Sequence, residues 1–127
     1  MLKAKLLLAI LFLLPSAVFA NKYGLPEQSA VIDAASSGDN TIVSAVTDKR
    51  ICVLGFVLVG SGAVTVRFES GAGGTALTGQ MTVGSGTGMA PPRGEDCLFA
   101  TASGSLLNLE LSGAVSVDGY LNYVVIE

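Results

Sequence analysis

The sequence predicts an all-β protein, a single antiparallel β-sandwich of about eight strands with a jelly-roll-like arrangement. Short apolar or alternating segments recur along the chain, and glycine-rich or Asn- and Asp-containing turns separate them. No segment after the first 20 residues has the period of an amphipathic helix. About eight short strands in the 107 residues that follow are typical of a two-sheet sandwich.

The first 20 residues have the layout of a secretory signal peptide. Lys3 and Lys5 supply positive charge, residues 6–14 form an unbroken apolar run, and small residues occupy the positions of Val18 and Ala20. The run is shorter than the roughly 20 residues of a membrane-spanning helix. We therefore expect cleavage after Ala20, export to the periplasm or the exterior, and no membrane attachment afterwards. An uncleaved N-terminal anchor is the alternative.

The mature chain divides into an extended lead-in, residues 21–36, and a sandwich domain, residues 37–127. Residues 51–59 are almost entirely apolar and end at a Gly-Ser-Gly turn, which predicts a central strand covered on both faces. Residues 64–69 alternate strictly, so Arg67 and Glu69 are expected in solvent or in cross-strand pairs. The predicted strands are Val31–Ile32, 41–46, 51–59, 64–69, 76–83, 97–100, 107–111 and 120–126.

Two cysteines, Cys52 and Cys97, lie 45 positions apart. In an exported protein such a pair is expected to form a disulfide rather than a metal site. Two buried free thiols are the alternative if the chain stays in a reducing compartment.

The residue types argue against catalysis, metals and cofactors. The sequence has no histidine, which removes the usual general base and the commonest metal ligand. Glu95 and Asp96 are the only adjacent acids, and neighbours on an extended chain point in opposite directions. A glycosidase needs two acids that face each other. We expect no enzyme, no metal site and no cofactor, and we interpret the remaining Asp and Asn residues as turn formers.

Charge limits the choice of partner. Loss of Lys3 and Lys5 with the signal peptide leaves five basic residues against ten acidic ones. Nucleic-acid binding needs clustered Lys and Arg, so we expect no nucleic-acid partner. Protein partners remain, and the longest loop, residues 84–96, is where we expect them to bind. The candidate contact residues are Met89, Pro91, Pro92 and Arg93. A mobile connector is the alternative role for this loop.

Several segments resemble a known group of proteins. They include Gly38-Asp39-Asn40-Thr41-Ile42-Val43, Gly62-Ala63-Val64-Thr65-Val66-Arg67-Phe68, Thr101-Ala102-Ser103-Gly104 and Ser112-Gly113-Ala114-Val115. From about Ser37 to the end, the chain resembles small jelly-roll structural proteins of tailed phages and prophages. The resemblance lies in strand and turn patterns rather than in site residues.

The resemblance implies a non-catalytic structural subunit that self-associates, with a trimer favoured, and decorates a larger particle such as a phage virion. A signal peptide and a cysteine pair are not features of a virion subunit that assembles in the host cytoplasm. An exported binding module, such as an adhesin or lectin, is therefore the alternative function. A virion location applies only if a phage encodes the chain.

Overall fold

A computed structural model describes residues 21–127. The predicted signal peptide, residues 1–20, lies outside the described residues. Within that described range no helix is long and apolar enough to cross a membrane. The secondary structure there consists of ten strands: β1 (Gln28–Ala34), β2 (Gly38–Val43), β3 (Arg50–Gly60), β4 (Val64–Ser70), β5 (Thr75–Ala76), β6 (Met81–Val83), β7 (Gly88–Met89), β8 (Phe99–Ala100), β9 (Leu107–Leu111) and β10 (Val117–Ile126).

The strands form two antiparallel sheets of five strands each. The first sheet has the order β1-β10-β3-β7, and β8 pairs with the same edge of β3 as β7 does. The second sheet has the order β2-β9-β4-β5, and β6 also pairs with β4. If β5 with β6, and β7 with β8, are each counted as one interrupted strand, the chain crosses between the sheets in the jelly-roll pattern. The predicted all-β sandwich is confirmed.

The main core lies between the two sheets. Val64, Val66 and Phe68 of β4 point into it, as their alternation with polar residues predicts. Leu107, Leu109 and Leu111 of β9 lie beside them and are fully buried or nearly so. At its centre three phenylalanine rings meet.

The predicted central strand is β3. Its inner residues, such as Ile51 and Leu58, belong to the main core, while Cys52 and Leu54 on the outer face form a second, smaller cluster with Val124. The inner residues are odd-numbered before position 54 and even-numbered after it, because a bulge in the pairing of β3 with β10 inserts one extra residue there. The first half of β3, residues 51–54, is therefore buried on both faces, which explains why its sequence is continuously apolar. Further along the outer face, Val57 is half-buried and Val59 is exposed.

One glycine allows β10 to approach β3. Gly119 has φ +152°, and a Cβ atom there would lie 1.8 Å from the carbonyl oxygen of Val57 on β3. Any side chain at this position would push the two central strands of the first sheet apart.

Besides shifts of two or three residues at both ends of β2 and at the starts of β8 and β10, the strands differ from the sequence prediction in three places. Residues 28–34 form β1 and belong to the first sheet, so the lead-in outside the sandwich shrinks to residues 21–27. The weak strand predicted at 76–83 is interrupted, leaving β5 and β6 on either side of a turn. β7 lies in the segment predicted to be a loop, because the edge of β3 supplies hydrogen-bonding partners that the local sequence does not reveal.

Phe68 offers a test of the core. It is fully buried, and its ring centroid lies 5.1 Å from that of Phe56 and 4.9 Å from that of Phe99. Phe68→Ala should lower the free energy of unfolding by about 3–5 kcal/mol, measured by chemical denaturation. The matched control is Val59→Ala on the exposed outer face, which should change it by no more than about 0.5 kcal/mol. Equal effects of the two changes would contradict the described core.

Candidate functional site on the outer face of the first sheet

A disulfide bond joins β3 to the loop that precedes β8. Cys52 and Cys97 are bonded, with their Cα atoms 5.2 Å apart. Cys52 is fully buried on the outer face of β3, and Cys97 is half-buried above it. The disulfide expected from the sequence is therefore present, and it ties residues near the predicted partner-binding loop to the central strand.

The N-terminal segment, residues 21–27, packs over this disulfide. Tyr23 and Leu25 contact the outer cluster formed by Cys52, Leu54 and Val124. The Asn21 side chain donates a hydrogen bond to the carbonyl oxygen of Leu25 at 2.9 Å and accepts one from the backbone N–H of Tyr23 at 3.2 Å. These bonds fold the segment into a compact turn, which leaves its two apolar side chains free to cover the sheet.

A polar latch fastens the same segment to the disulfide loop, with Asp96 at its centre. Lys22 Nζ lies 2.7 Å from Asp96 Oδ2, and Tyr23 Oη donates to Asp96 Oδ1 at 2.6 Å. The backbone N–H of Cys97 donates to the same Oδ1 at 2.7 Å. The hydrogen bond from Lys22, then those from Tyr23 and Cys97, lower the pKa of Asp96 to about 2.

The latch gives a structural role to the adjacent acids Glu95 and Asp96. The Asp96 carboxylate is occupied by three donors, whereas the Glu95 side chain is exposed and its carbonyl oxygen accepts from the backbone N–H of Lys22. Among residues 21–127, no three His, Cys, Asp or Glu side chains come close enough together to hold a metal ion. The geometry of this pair is that of a structural clasp.

The four predicted partner-binding residues fall in different environments. Met89 is in β7, half-buried against the main core. Pro91 and Arg93 line a shallow pocket of about 140 Å³, with Tyr120 on its other side, and Pro92 is exposed. Arg93 pairs with Glu27 of the N-terminal segment. The structure thus brings Pro91, Pro92 and Arg93 to one surface and places Met89 beneath it, and their binding role stays a prediction.

The backbone of this loop is also held in place. The N–H of Gly94 donates to the carbonyl oxygen of Leu54 at 3.1 Å, and the N–H of Leu98 donates to that of Val53 at 2.8 Å. Together with β7 and β8, these bonds cover most of the edge of β3. The loop therefore closes one side of the first sheet.

A buried polar cluster lies on the outer face of the second sheet. Glu69 and Asn108 are fully buried. Of the two arrangements expected for Glu69, exposure to solvent is therefore wrong, and the side chain instead pairs across strands with Asn108. Asn108 Nδ2 donates to Glu69 Oε1 at 2.9 Å and to Asp39 Oδ1 at 2.7 Å. Arg67 Nε donates to Glu69 Oε2 at 2.8 Å and lies 2.6 Å from Glu110 Oε2, so these carboxylates raise the pKa of Arg67.

Sequence reasoning missed this cluster because alternation gives the face of a residue but not what covers it. The side chain of Arg67 does pair across strands, with Glu110, as one of the two predicted arrangements had it. The signal available in the sequence was an acidic residue, Glu69, and an amide residue, Asn108, on the polar faces of two predicted strands.

Exposed apolar side chains form a row on the outer face of the first sheet, away from the latch. Val31 of β1 is 77% exposed and lies opposite Tyr120 of β10, which is 50% exposed. Tyr120 in turn lies opposite the half-buried Val57 of β3. Tyr123, by contrast, packs against the core, so the two tyrosines of β10 face opposite sides of the sheet. The row ends at β1, the edge of the sheet.

An apolar groove opens between the edges of the two sheets on the same side. It has a volume of about 600 Å³ and lies between β1 and the end of β2. Ala30, Ile42 and Val125 contribute apolar walls, and Val46 at its rim is 38% exposed. Apolar surface therefore meets the free edges of both sheets on one side of the sandwich.

The comparisons with known proteins inform the fold. No model of a protein family matches the chain, and no curated protein matches it. Among solved structures, the chain is similar to one from work titled "Bacillus endospore appendages form a novel family of disulfide-linked pili". The identity is 17% and the TM-score 0.50, over 87% of this chain and 95% of the other. The likeness shows a shared fold.

The latch makes a prediction about titration. In the double variant Lys22→Met/Tyr23→Phe, the pKa of Asp96 should rise from about 2 towards its ordinary value of 3.8, measured by carbon NMR of the carboxyl group. Because the pKa is lowered in the folded state, the latch stabilises fully above the ordinary pKa and is lost as pH falls from there towards the folded value. Glu95→Gln, outside the hydrogen bonds of Asp96, should leave that titration near its wild-type midpoint. A wild-type midpoint near 3.8 would contradict the latch.

Removal of the disulfide should destabilise the protein and loosen the segment that covers it. The bond closes a loop across 45 positions, so Cys52→Ala/Cys97→Ala should lower the free energy of unfolding by about 4 kcal/mol. Hydrogen exchange should rise in residues 21–27 more than in β4 or β9, which do not contact the bond. Uniform exchange changes in all these segments would show that the bond has no local role.

Proposed function

We propose that the chain is a non-catalytic structural subunit that is exported and self-associates into a larger assembly. The observation that carries the proposal is the likeness in fold, over 87% of the chain, to a subunit of appendages described as pili. That neighbour is named for a structural assembly, and its chain is covered almost completely by the match. The predicted signal peptide and the acidic mature surface are compatible with a secreted subunit.

The disulfide supports the exported location. Such bonds persist in the periplasm and outside the cell and are rare in the reducing cytoplasm. Cys52 is fully buried and Tyr23 lies against Cys97, with its hydroxyl 3.2 Å from the sulfur atom. The N-terminal segment thus packs directly on the oxidised pair.

The cysteines also set how the subunits are held together. Both cysteines of the sequence are joined to each other within one chain. The appendages of the structural neighbour are described as disulfide-linked. We propose that copies of the present chain associate without covalent links, because formation of a bond between subunits would first require opening of Cys52–Cys97.

Two finer features of the proposal rest on the sequence resemblance alone. These are the decoration of a phage virion and the trimer. The resemblance covers strand and turn patterns from about Ser37 onward, and such patterns indicate the fold rather than the location or the oligomeric state. We keep both as predictions beside the broader role of a self-associating subunit.

An exported binding module is the second candidate function, and one observation favours it. Pro91, Arg93 and Tyr120 converge on the shallow pocket of the outer face, where an exposed aromatic ring and a guanidinium group offer contacts to a ligand. Its volume of about 140 Å³ is below the roughly 300 Å³ at which ligand pockets usually begin. A partner would therefore have to bind mainly by surface contacts.

The proposal is tested on protein secreted from the full chain with its own leader. Intact mass should show a chain that starts at Asn21 and carries the disulfide. Sedimentation velocity and negative-stain microscopy should show oligomers or larger particles. Gel electrophoresis in denaturant without reductant should separate these oligomers into single chains, because no covalent bond joins the copies.

Several outcomes would overturn the proposal. A monomer at every concentration, alone and in extracts of its own cells, would exclude self-association. A ladder of reductant-sensitive multimers would exclude non-covalent assembly. Saturable binding of a glycan or host protein by the monomer, lost on Tyr120→Ala, would replace the structural role with the binding module.

A further inference from the structure

The two sides of the sandwich differ in how their sheet edges end. On one side the edges consist of short pieces: β5 and β6 in the second sheet, β7 and β8 in the first. Pro91 and Pro92 follow β7, and short strands and prolines are two common ways to block edge pairing. On the other side the edges are the continuous strands β1, of seven residues, and β2, of six. The protected and unprotected edges thus lie on opposite sides.

β1 lacks the features that usually prevent an edge strand from pairing. Among residues 21–127 it pairs only with β10, so one row of its backbone N–H and C=O groups has no strand partner there. It contains no proline, no lysine and no bulge, and Asp33 is its only charged residue. Val31, at its midpoint, is the most exposed large apolar side chain of the described residues. An edge of this kind favours the addition of another strand.

We propose that β1 pairs antiparallel with β1 of a second copy, with Val31 of each chain at the two-fold axis. This inference deepens the proposed function and rests on it, because it names the contact through which two subunits join. The two first sheets would then form one continuous sheet across the pair. The interface is isologous, so the same strand serves both partners.

The sequence of β1 is complementary to itself in this register. With Val31 opposite Val31, Ser29 of one chain lies opposite Asp33 of the other, so the two carboxylates are not directly opposed. On the inner face, the small Ala30 of one chain lies opposite the larger Ile32 of the other. Like charges directly opposite each other destabilise antiparallel sheets, and this register avoids them between the two chains.

The outer face gives a second reason for a copy of the same chain. The row Val31–Tyr120–Val57 ends abruptly at the edge of the sheet. In the two-fold pair this row meets its own counterpart, so that Val31 of each chain covers that of the other and the exposed apolar row becomes continuous. The mature chain is acidic, yet the two acids that flank the row, Asp33 and Asp118, lie two residues away from Val31 and Tyr120 on their strands.

Engineered cysteines test the register. Residues directly opposite in an antiparallel pair have Cα atoms about 4.5–5.5 Å apart, within the range of a disulfide. Val31→Cys should therefore yield a covalent dimer on oxidation, with the native bond retained in peptide mapping. Ser29→Cys and Asp33→Cys should each stay uncrosslinked alone and form a covalent heterodimer when mixed. No other arrangement of β1 gives this pattern.

A charge variant tests whether the contact holds the assembly together. Val31→Lys places two like charges at the two-fold axis and should abolish the dimer in sedimentation velocity. The matched control is Val59→Lys, which adds the same charge to an exposed valine on the same outer face, away from the edge, and should leave the dimer intact. Circular dichroism and thermal unfolding would show that both variants are folded.

The outcomes separate this inference from the proposed function. If the wild type assembles but Val31→Cys does not crosslink, or Val31→Lys assembles as well as its control, the β1 contact is overturned and the structural role stands. If Val31→Lys abolishes assembly without the Ser29–Asp33 heterodimer, β1 pairs with a different edge and the two-fold register is overturned. A wild type that is monomeric under all conditions overturns both.

Discussion

The structure depends on the burial of the first half of β3 on both of its faces. Its inner side chains close the main core against the second sheet, but Cys52 and Leu54 on its outer face need a cover that no sheet supplies. The N-terminal segment and the loop before β8 provide this cover, and the disulfide fixes the loop to the strand it protects. The outer face of the sheet, which in many sandwiches is exposed to solvent, here carries a second small hydrophobic core.

This arrangement also distributes protection unevenly around the molecule. The segments that cover the outer face run along the β3 side of the first sheet and shield that edge with β7, β8 and their connecting loop. No comparable cover lies over β1 among the described residues. The same constraint that stabilises one subunit therefore leaves its opposite edge available to pair with a second copy of the chain.

The sequence was informative where the pattern was local. The apolar run of β3, the alternation of Val64, Val66 and Phe68, and the two cysteines each predicted features that the structure contains. It was uninformative about the side-chain hydrogen bonds that join distant positions. The side chain of Lys22 hydrogen-bonds to Asp96, which lies 74 positions later in the sequence. The side chain of Asn108 donates a hydrogen bond to Glu69, which lies 39 positions earlier. Likewise, the two residues of β7 form a strand because they pair with the edge of β3, and their own sequence does not predict one.

Hydrogen exchange in β1 as a function of protein concentration tests the central claim most directly, because it reports on the unmodified chain. The claim is that this free edge joins two subunits across a two-fold axis. Backbone amides of β1 that point away from β10 should exchange rapidly in dilute protein and become protected as the protein associates, while the amides of β10 stay protected throughout. Association that leaves the outward amides of β1 exchanging at the dilute rate would contradict the account.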